Sequence, residues 1–155
     1  MIPHTPFYFV RHGQTDWNKT SQTLCDQDDI SLNDVGLKQA ANVCHQLTNL
    51  GITQIFSSPL ARAKQTAEII NAHLKLPLQL HVGLGKIIDE HVTIAVNEIL
   101  NPSHSTLIVS HGEVYRVLLR ILNAQSDHPN AKNGGLYFFS PPDKNSDQWT
   151  VTVTK

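Results

Sequence analysis

The sequence predicts an α/β protein with three layers, in which a mostly parallel sheet is flanked by helices. Short apolar runs alternate along the chain with longer segments whose apolar residues recur at three- and four-residue steps. Such alternation is typical of parallel strands that are joined through helices. Two further apolar runs near the C-terminus, separated by the turn at residues 141–144, predict an antiparallel hairpin.

Short apolar runs mark the strands, because a strand that is buried on both faces reads as continuous apolar sequence. The clearest run is Thr106-Leu107-Ile108-Val109, and the first is Phe7-Tyr8-Phe9-Val10. In chain order, the predicted strands are residues 7–10, 54–56, 78–82, 106–109, 136–139 and 149–153.

Helices are predicted from the spacing of apolar residues and from the residues at the helix ends. Gly51 follows the first helix and Asn101-Pro102 follows the third, and both are signals that end a helix. Pro59, with two serines before it, opens the second helix. In chain order, the predicted helices are residues 31–50, 60–74, 89–100 and 113–122.

Length, charge and cysteine content limit the classes of protein. A chain of 155 residues predicts one domain over residues 1–155, and a net charge of −1 without a basic stripe argues against nucleic acid as a partner. We expect no membrane segment, because no apolar run approaches the roughly 20 residues needed to span a bilayer. Cys25 and Cys44 are too few for a disulfide scaffold, so we expect reduced thiols in a cytoplasmic protein. We expect no signal peptide, because the first ten residues show no basic segment followed by an apolar one.

Two histidines, each followed by glycine, stand directly after predicted strands. They are His12, after the strand at residues 7–10, and His111, after the strand at residues 106–109. Since ligands of α/β proteins bind outside the carboxyl ends of the strands, we expect both imidazoles at one binding edge. Arg11 reaches the same edge because it stands between the first strand and His12.

A helix start beside this edge adds positive charge. The helix predicted at residues 60–74 carries Arg62 near its start, and the free amide groups of a helix start attract anions. An arginine fork pairs well with phosphate oxygens. Each residue taken singly is more often structural, but their joint placement predicts an oxyanion site with two imidazoles, for which phosphate is the simplest ligand.

Four segments of the chain match motifs that occur in the same order in one known family. They are RHGQTDWN at residues 11–18, SLNDVGLKQA at residues 31–40, SSPLARAKQTA at residues 57–67 and SHG at residues 110–112. With these segments the chain resembles the histidine phosphatase superfamily, the phosphoglycerate mutase-like proteins, from about residue 7 to residue 122. Four separate motifs are a specific signal.

The resemblance implies roles for the residues at the strand ends. His12 would attack phosphorus and carry a phosphohistidine intermediate, which divides one displacement into two easier steps. Arg11, Arg62 and His111 would hold the non-bridging oxygens of the phosphate. The residues that would complete the substrate site are Gly13, Gln14 and Asn18. This scheme implies no cofactor and no metal, and the spacing of histidines and cysteines does not match a zinc site.

The resemblance breaks at the position of the general acid. The family usually places a glutamate in an L-x-E stretch after the third strand, where this chain has Lys86. An alkoxide leaving group needs a proton, and general acid–base catalysis contributes about 10²–10⁴-fold. Three alternatives stay open: a carboxylate at Asp89 or Glu90, the carboxylate of Glu113, or no acid at all. We favour residues 89–90 because they are nearest in the chain to the position that the family uses.

Two further departures concern the entrance of the site. Gln22 and Cys25 stand near the places where the family commonly has the arginine and the glycine of an R-x-x-G element, so one anion-binding charge is missing. Only about twenty residues separate Lys86 from Thr106, where the family's mutases carry a longer helical insertion. We therefore expect an open pocket and no mutase activity, since a mutase must protect its phosphoenzyme from water.

The expected function is metal-independent hydrolysis of phosphate monoesters or phosphoramidates through phospho-His12. Its partner would be a small phosphorylated substrate or a phosphorylated protein. The alternative is a catalytically impaired member that binds phosphorylated ligands without efficient turnover, which Lys86 and Gln22 favour. An unrelated nucleotide-binding α/β module is the weakest alternative, because the chain has neither glycine-rich nucleotide loop.

Overall fold

The computed structural model describes residues 2–19 and 29–154. Within these residues, six strands form one sheet, and helices connect the parallel strands. In chain order, the elements are β1 (Phe7–Arg11), α1 (Asp16–Lys19), α2 (Asp34–Leu47), β2 (Gln54–Ser57), α3 (Ala61–Leu74), β3 (Leu78–Leu80), a 3-10 turn (Val82–Gly85), α4 (Asp89–Ile99), β4 (Thr106–Ser110), α5 (Gly112–Ile121), β5 (Leu136–Ser140) and β6 (Thr150–Thr154).

The sheet is mixed and mostly parallel, with the strand order β3-β2-β4-β1-β5-β6. β3, β2, β4 and β1 pair in parallel, whereas β5 runs antiparallel to both β1 and β6. This confirms the predicted α/β class and the antiparallel hairpin at the C-terminal end. At the centre of the sheet Arg11 of β1 lies opposite Ser110 of β4, so the next residues in the chain, His12 and His111, emerge side by side.

Each face of the sheet is covered by its own apolar layer. Phe7 and Phe9 of β1 pack into a layer that includes residues of α4 and α5, and Tyr115 of α5 is fully buried there. Val10, which alternates with them along the strand, packs on the opposite face against α2 and α3, together with Leu107 of β4. The three-layer arrangement is therefore confirmed, and the site edge lies between two packed layers.

The helix at residues 34–47 and the third strand are shorter than predicted. α2 begins at Asp34 and not at residue 31, because the side chain of Asn33 caps the helix by accepting a hydrogen bond of 2.8 Å from the amide of Gly36. The helix ends at Leu47, and Gly51 follows with a φ of 73°. β3 ends at Leu80, where a 3-10 turn replaces the last part of the predicted strand.

Some sequence predictions concern residues outside the described ranges, namely Gln22 and Cys25. The thiol of Cys44 is free and buried in α2, where it contacts the carbonyl of Ala40 at 3.3 Å. In residues 2–19 and 29–154, no helix is long and apolar enough to cross a bilayer. The same residues hold no group of three or more histidine, cysteine or acidic side chains arranged to bind a metal ion.

Candidate active site

His12 lies just beyond β1 and is only 2% exposed. Its amide donates to the carbonyl of Ser110 at 2.9 Å, which fixes its backbone against the end of β4. Its Nδ1 lies 2.7 Å from the carbonyl oxygen of Gly13, and because a carbonyl only accepts hydrogen bonds, Nδ1 carries the proton. In the neutral ring Nε2 is therefore unprotonated, with a lone pair available for attack.

Burial lowers the pKa of His12 from its ordinary value of 6.5 to about 3. Loss of solvation is the largest cause, while the hydrogen bond to Gly13 raises the pKa and the positive charges of Arg11 and Arg62 lower it. The imidazole is consequently neutral at pH 7. A neutral ring is the form that a nitrogen nucleophile requires.

His111 stands at the start of α5, and its ring centroid lies 5.2 Å from that of His12. Its Nε2 is 2.8 Å from Oγ of Ser58, which also accepts from the amide of Leu60 at 3.2 Å. Burial, followed by the neighbouring His12, lowers the pKa of His111 as well. Its Nδ1 is buried and has no hydrogen-bond partner among the described residues, so a ligand oxygen at this atom would satisfy it.

Arg11 extends across Gly112, and the absence of a side chain at that glycine makes its path possible. A Cβ at Gly112 would lie 3.2 Å from Cζ of Arg11. Nη1 of Arg11 donates to the carbonyl of Ala131 at 2.8 Å, whereas Nε is buried without a partner in the described part of the chain. Burial lowers the pKa of Arg11, and the nearby charge of Glu113 opposes this effect. The guanidinium is thus anchored at one end and keeps a buried donor for a ligand.

Arg62 is 7% exposed in the first turn of α3, and its positive charge lowers the pKa of both His12 and His111. The structure therefore brings both predicted arginines and both predicted histidines together. The start of α3 itself is less open than we predicted. The amide of Ala61 donates to Oδ1 of Asp29 at 2.6 Å, so this amide is not available to a substrate.

The turn after β1 packs directly on the start of α2. A Cβ at Gly13 would lie 2.4 Å from the carbonyl oxygen of Gly36, so a larger residue does not fit there with the backbone in this position. The amide of Gly13 donates to Oγ1 of Thr66 at 3.0 Å, and the amide of Gln14 donates to Oε1 of Gln39 at 2.8 Å. These two amides hold the turn in place. A direct role of Gly13 and Gln14 in binding substrate stays a prediction.

Asn18 also supports this turn. Its Oδ1 accepts from the amide and from the hydroxyl of Thr15, both at 3.0 Å. The amide nitrogen of Asn133, from the far end of the chain, donates to the carbonyl of His12 at 3.1 Å and contacts Oδ1 of Asn18 at 3.3 Å. The geometry gives Asn18 a positioning role beside His12, and its contact with substrate stays a prediction.

The three candidate acids lie in different surroundings. Asp89 binds Arg120 through both carboxylate oxygens, and Arg120 lies at the opposite end of α5 from His111. Glu90 is exposed at the start of α4. Glu113 is partly buried in the first turn of α5, where its charge acts on Arg11. Of these three carboxylates, Glu113 is the one whose charge acts on a residue of the cluster, Arg11, and the choice among the candidate acids stays a prediction.

Lys86 follows a 3-10 turn that is attached to the site. The hydroxyl of Ser110 donates to the carbonyl of Leu84 at 2.6 Å, and a Cβ at Gly85 would lie 3.1 Å from Oγ of Ser58. Position 86 therefore lies at the rim of the pocket, where the resemblance places the acid. The residue at this position is a lysine with an exposed side chain, and not a carboxylic acid.

Sequence reasoning assigned no role to several supporting residues. Ser58 and Thr66 lie inside a matched motif, so their positions were visible although their contacts with His111 and Gly13 were not. Residues 131–133 lie in a segment without a pattern, and no sequence signal pointed to them.

Sequence comparisons show that the chain is similar to proteins named as phosphatases and as probable mutases. The profile of the histidine phosphatase superfamily (branch 1) matches residues 7–87, just over half of the chain. The uncharacterized phosphatase PhoE of Bacillus subtilis is 45% identical over 74 residues, which are 48% of this chain and 38% of that protein. The probable phosphoglycerate mutase GpmB of Yersinia pestis is 46% identical over 63 residues, which are 41% of this chain and 29% of that protein. The matched stretch thus spans less than half of these curated relatives.

Solved structures share the fold over nearly the whole chain. The mycobacterial glucosyl-3-phosphoglycerate phosphatase in complex with VO3 superposes with a TM-score of 0.77 at 17% identity, covering 96% of this chain and 97% of that one. A putative alpha-ribazole-5'-P phosphatase from Escherichia coli has a TM-score of 0.77 at 17% identity, covering 97% and 96%. At such low identity the likeness establishes the fold alone.

Proposed function

This chain belongs to the histidine phosphatase superfamily, and from that premise we propose that it hydrolyses phosphate monoesters or phosphoramidates through a phosphohistidine at His12. The observation that carries the proposal is the state of His12. Its ring is neutral, the proton is held at Nδ1 by the Gly13 carbonyl, and Nε2 stands in a pocket that contains two arginines. We further propose a small phosphorylated substrate or a phosphorylated protein as partner, in the cytoplasm and without a metal ion.

In the first step, Nε2 of His12 attacks phosphorus, a P–N bond forms, and the bond from phosphorus to the leaving group breaks. Arg11 and Arg62 balance the charge on the non-bridging oxygens, and the buried Nδ1 of His111 donates a hydrogen bond to one of them. Stabilising this charge is the main requirement of phosphoryl transfer. The leaving oxygen or nitrogen takes a proton from a general acid, or departs as an anion when it is stable enough. In the second step, water attacks phosphorus, the P–N bond breaks, and inorganic phosphate and neutral His12 result.

Glu113 is our candidate for the proton donor of the first step. It stands two residues after His111, and its charge is coupled to that of Arg11. Protonated Glu113 would give its proton to the leaving atom, and its carboxylate would take one from the attacking water.

A catalytically impaired binding protein is the second candidate. Two observations favour this candidate. Lys86 stands at the position where the family has its acid, and the carboxylate of Asp89, three residues later, is bound by Arg120. Some relatives are named as probable phosphoglycerate mutases, so the comparisons do not distinguish between mutase and phosphatase chemistry for this chain. We propose hydrolysis because, in the described residues, the connection between β3 and β4 holds only the 3-10 turn and α4, without the longer helical insertion that the resemblance gives to mutases.

The proposal is tested by hydrolysis of an aryl phosphate by the purified protein, with and without EDTA and with vanadate as competitor. We expect saturable release of phosphate that vanadate inhibits competitively and EDTA leaves unchanged. Tight vanadate binding without turnover would favour the binding protein. Activity that depends on an added metal ion, or that persists in His12→Gln, would contradict the proposal.

A further inference from the structure

A cleft of about 180 Å³ lies beside the phosphate site, formed by Pro59, Leu60, Val82, Gly85 and Lys86. We propose that this cleft binds the leaving group of the substrate and selects an aromatic ring that carries an anionic substituent. The inference rests on the proposed function, because it assumes that the phosphate is held by His12 and its neighbours.

The cleft is connected to the catalytic histidines through one serine. Gly85, in its wall, approaches Oγ of Ser58 so closely that a Cβ would lie 3.1 Å away, and the same oxygen lies 2.8 Å from Nε2 of His111. A displacement at phosphorus proceeds in line, so the leaving group points away from His12. When the phosphate of a substrate contacts His111, its leaving group is therefore close to the cleft, because only Ser58 lies between His111 and the cleft wall at Gly85.

The size and the walls of the cleft fit a planar apolar group. A dry cavity of about 150 Å³ accommodates benzene, so the present volume is sufficient for one ring. Carbon atoms of Pro59, Leu60 and Val82 form the apolar part of its walls. Val82 is 70% exposed and Ile87, beside Lys86 in the chain, is 58% exposed, which leaves apolar surface at the rim that a ring would cover.

The charge at the rim gives the cleft a second preference. Among the described residues that line the cleft, Lys86 is the charged one, and its side chain is exposed. A carboxylate or a second phosphate on the ring would pair with it. Lys86, which replaces the acid of the family, would thus recognise the substrate and take no part in proton transfer.

Binding of non-hydrolysable phosphonates tests the inference independently of turnover. Isothermal titration would compare methylphosphonate, benzylphosphonate and 4-carboxybenzylphosphonate. We expect benzylphosphonate to bind about tenfold more tightly than methylphosphonate, because the ring buries apolar surface in the cleft. The carboxylate should add about two- to fivefold, the range of an exposed ion pair, and Lys86→Gln should abolish that increment alone.

Matched variants locate the ring. Val82→Ser should reduce the preference for the ring, whereas Ile94→Ser, at another exposed apolar position outside the cleft, should leave it unchanged. Lys38→Gln on α2 is the control for Lys86→Gln. Equal affinity for all three phosphonates would overturn the leaving-group cleft while the proposed function stands, and so would a ring preference that survives Val82→Ser. Failure of all three to bind would overturn the phosphate site and this inference with it.

Discussion

The two halves of the proposed site, one for the phosphate and one for the leaving group, are built in opposite ways. His12, His111 and Arg62 are between 2% and 7% exposed and are fixed at strand ends or in the first turn of a helix. Val82 and Lys86, in the leaving-group half, are exposed, at the start and just after the end of a 3-10 turn. Transfer of a phosphoryl group needs donors that are already in place, and the sheet edge supplies them. The exposed half can change by single residues without disturbing the core, so it is where specificity can vary.

Replacement of the nucleophile should have the largest effect. His12→Gln keeps a side chain that can donate to the Gly13 carbonyl but removes the attacking nitrogen, so kcat should fall by at least about 10⁴-fold. Steady-state hydrolysis of an aryl phosphate measures the loss. His73→Gln, at an exposed position of α3, is the control and should behave as wild type. If His12→Gln and His73→Gln had comparable activity, His12 would not be the nucleophile.

Replacement of the acid should affect only substrates with poor leaving groups. Glu113→Gln should lower kcat/KM for an alkyl phosphate by about 10²–10⁴-fold and change that for an aryl phosphate little, because an aryl oxide leaves without a proton. Asp89→Asn, whose carboxylate is held by Arg120, should retain both activities. If Asp89→Asn or Glu90→Gln selectively lost the alkyl substrate, the acid would lie in the exposed half as the sequence suggested. An inert alkyl phosphate in wild type would mean that no acid operates.

Loss of one arginine should weaken phosphate binding. Arg62→Ala should reduce affinity for phosphate or vanadate by about 1.5–3 kcal/mol, the contribution of hydrogen bonds to charged groups. Titration calorimetry measures it, with Arg120→Ala as the matched exposed arginine. Unchanged affinity in Arg62→Ala would exclude this residue from the pocket.

Acid should destabilise the folded protein through its buried histidines. In the unfolded chain His12 has its ordinary pKa of 6.5, and in the folded protein its pKa is about 3. Above pH 6.5 both states are neutral, so the group has no effect. As pH falls from 6.5 towards 3, the unfolded state takes up the proton alone, and the free energy of unfolding decreases by up to about 1.4 kcal/mol per pH unit. The lowered pKa of His111 acts in the same direction.

Urea denaturation at pH 7, 6 and 5 tests this pH dependence. His12→Gln should show a shallower loss of stability than wild type, since one proton uptake is removed. His73→Gln, at an exposed position of α3, is the matched control variant. Parallel profiles for wild type and His12→Gln would show that His12 titrates normally in the folded protein.

The buried half could be predicted from the sequence because its residues stand next to features that are easy to recognise. His12 and His111 follow the most apolar strands, and Arg62 follows a helix start. The exposed half could not be predicted in this way, because nearness in the chain does not fix nearness in space. The predicted third strand ends early in a 3-10 turn, and Asp89 meets Arg120 at the far end of α5.

Contacts between distant segments were equally invisible in the sequence. The carbonyl of Ala131 accepts from Arg11 across 120 residues, and no local pattern marks residue 131. The short helix α1 also escaped prediction, because four residues are too few to show a period. Such features depend on how the packed layers bring the loops together.

The central claim is that His12 becomes phosphorylated, and trapping the intermediate tests it most directly. The protein is mixed with an aryl phosphate, quenched in alkali within milliseconds to seconds, digested and examined by mass spectrometry. We predict one phosphoryl group on the peptide that contains His12, lost on brief treatment with acid and absent in His12→Gln. A stable adduct on a serine or on Cys25, or turnover with no adduct on His12 at any time, would contradict the account.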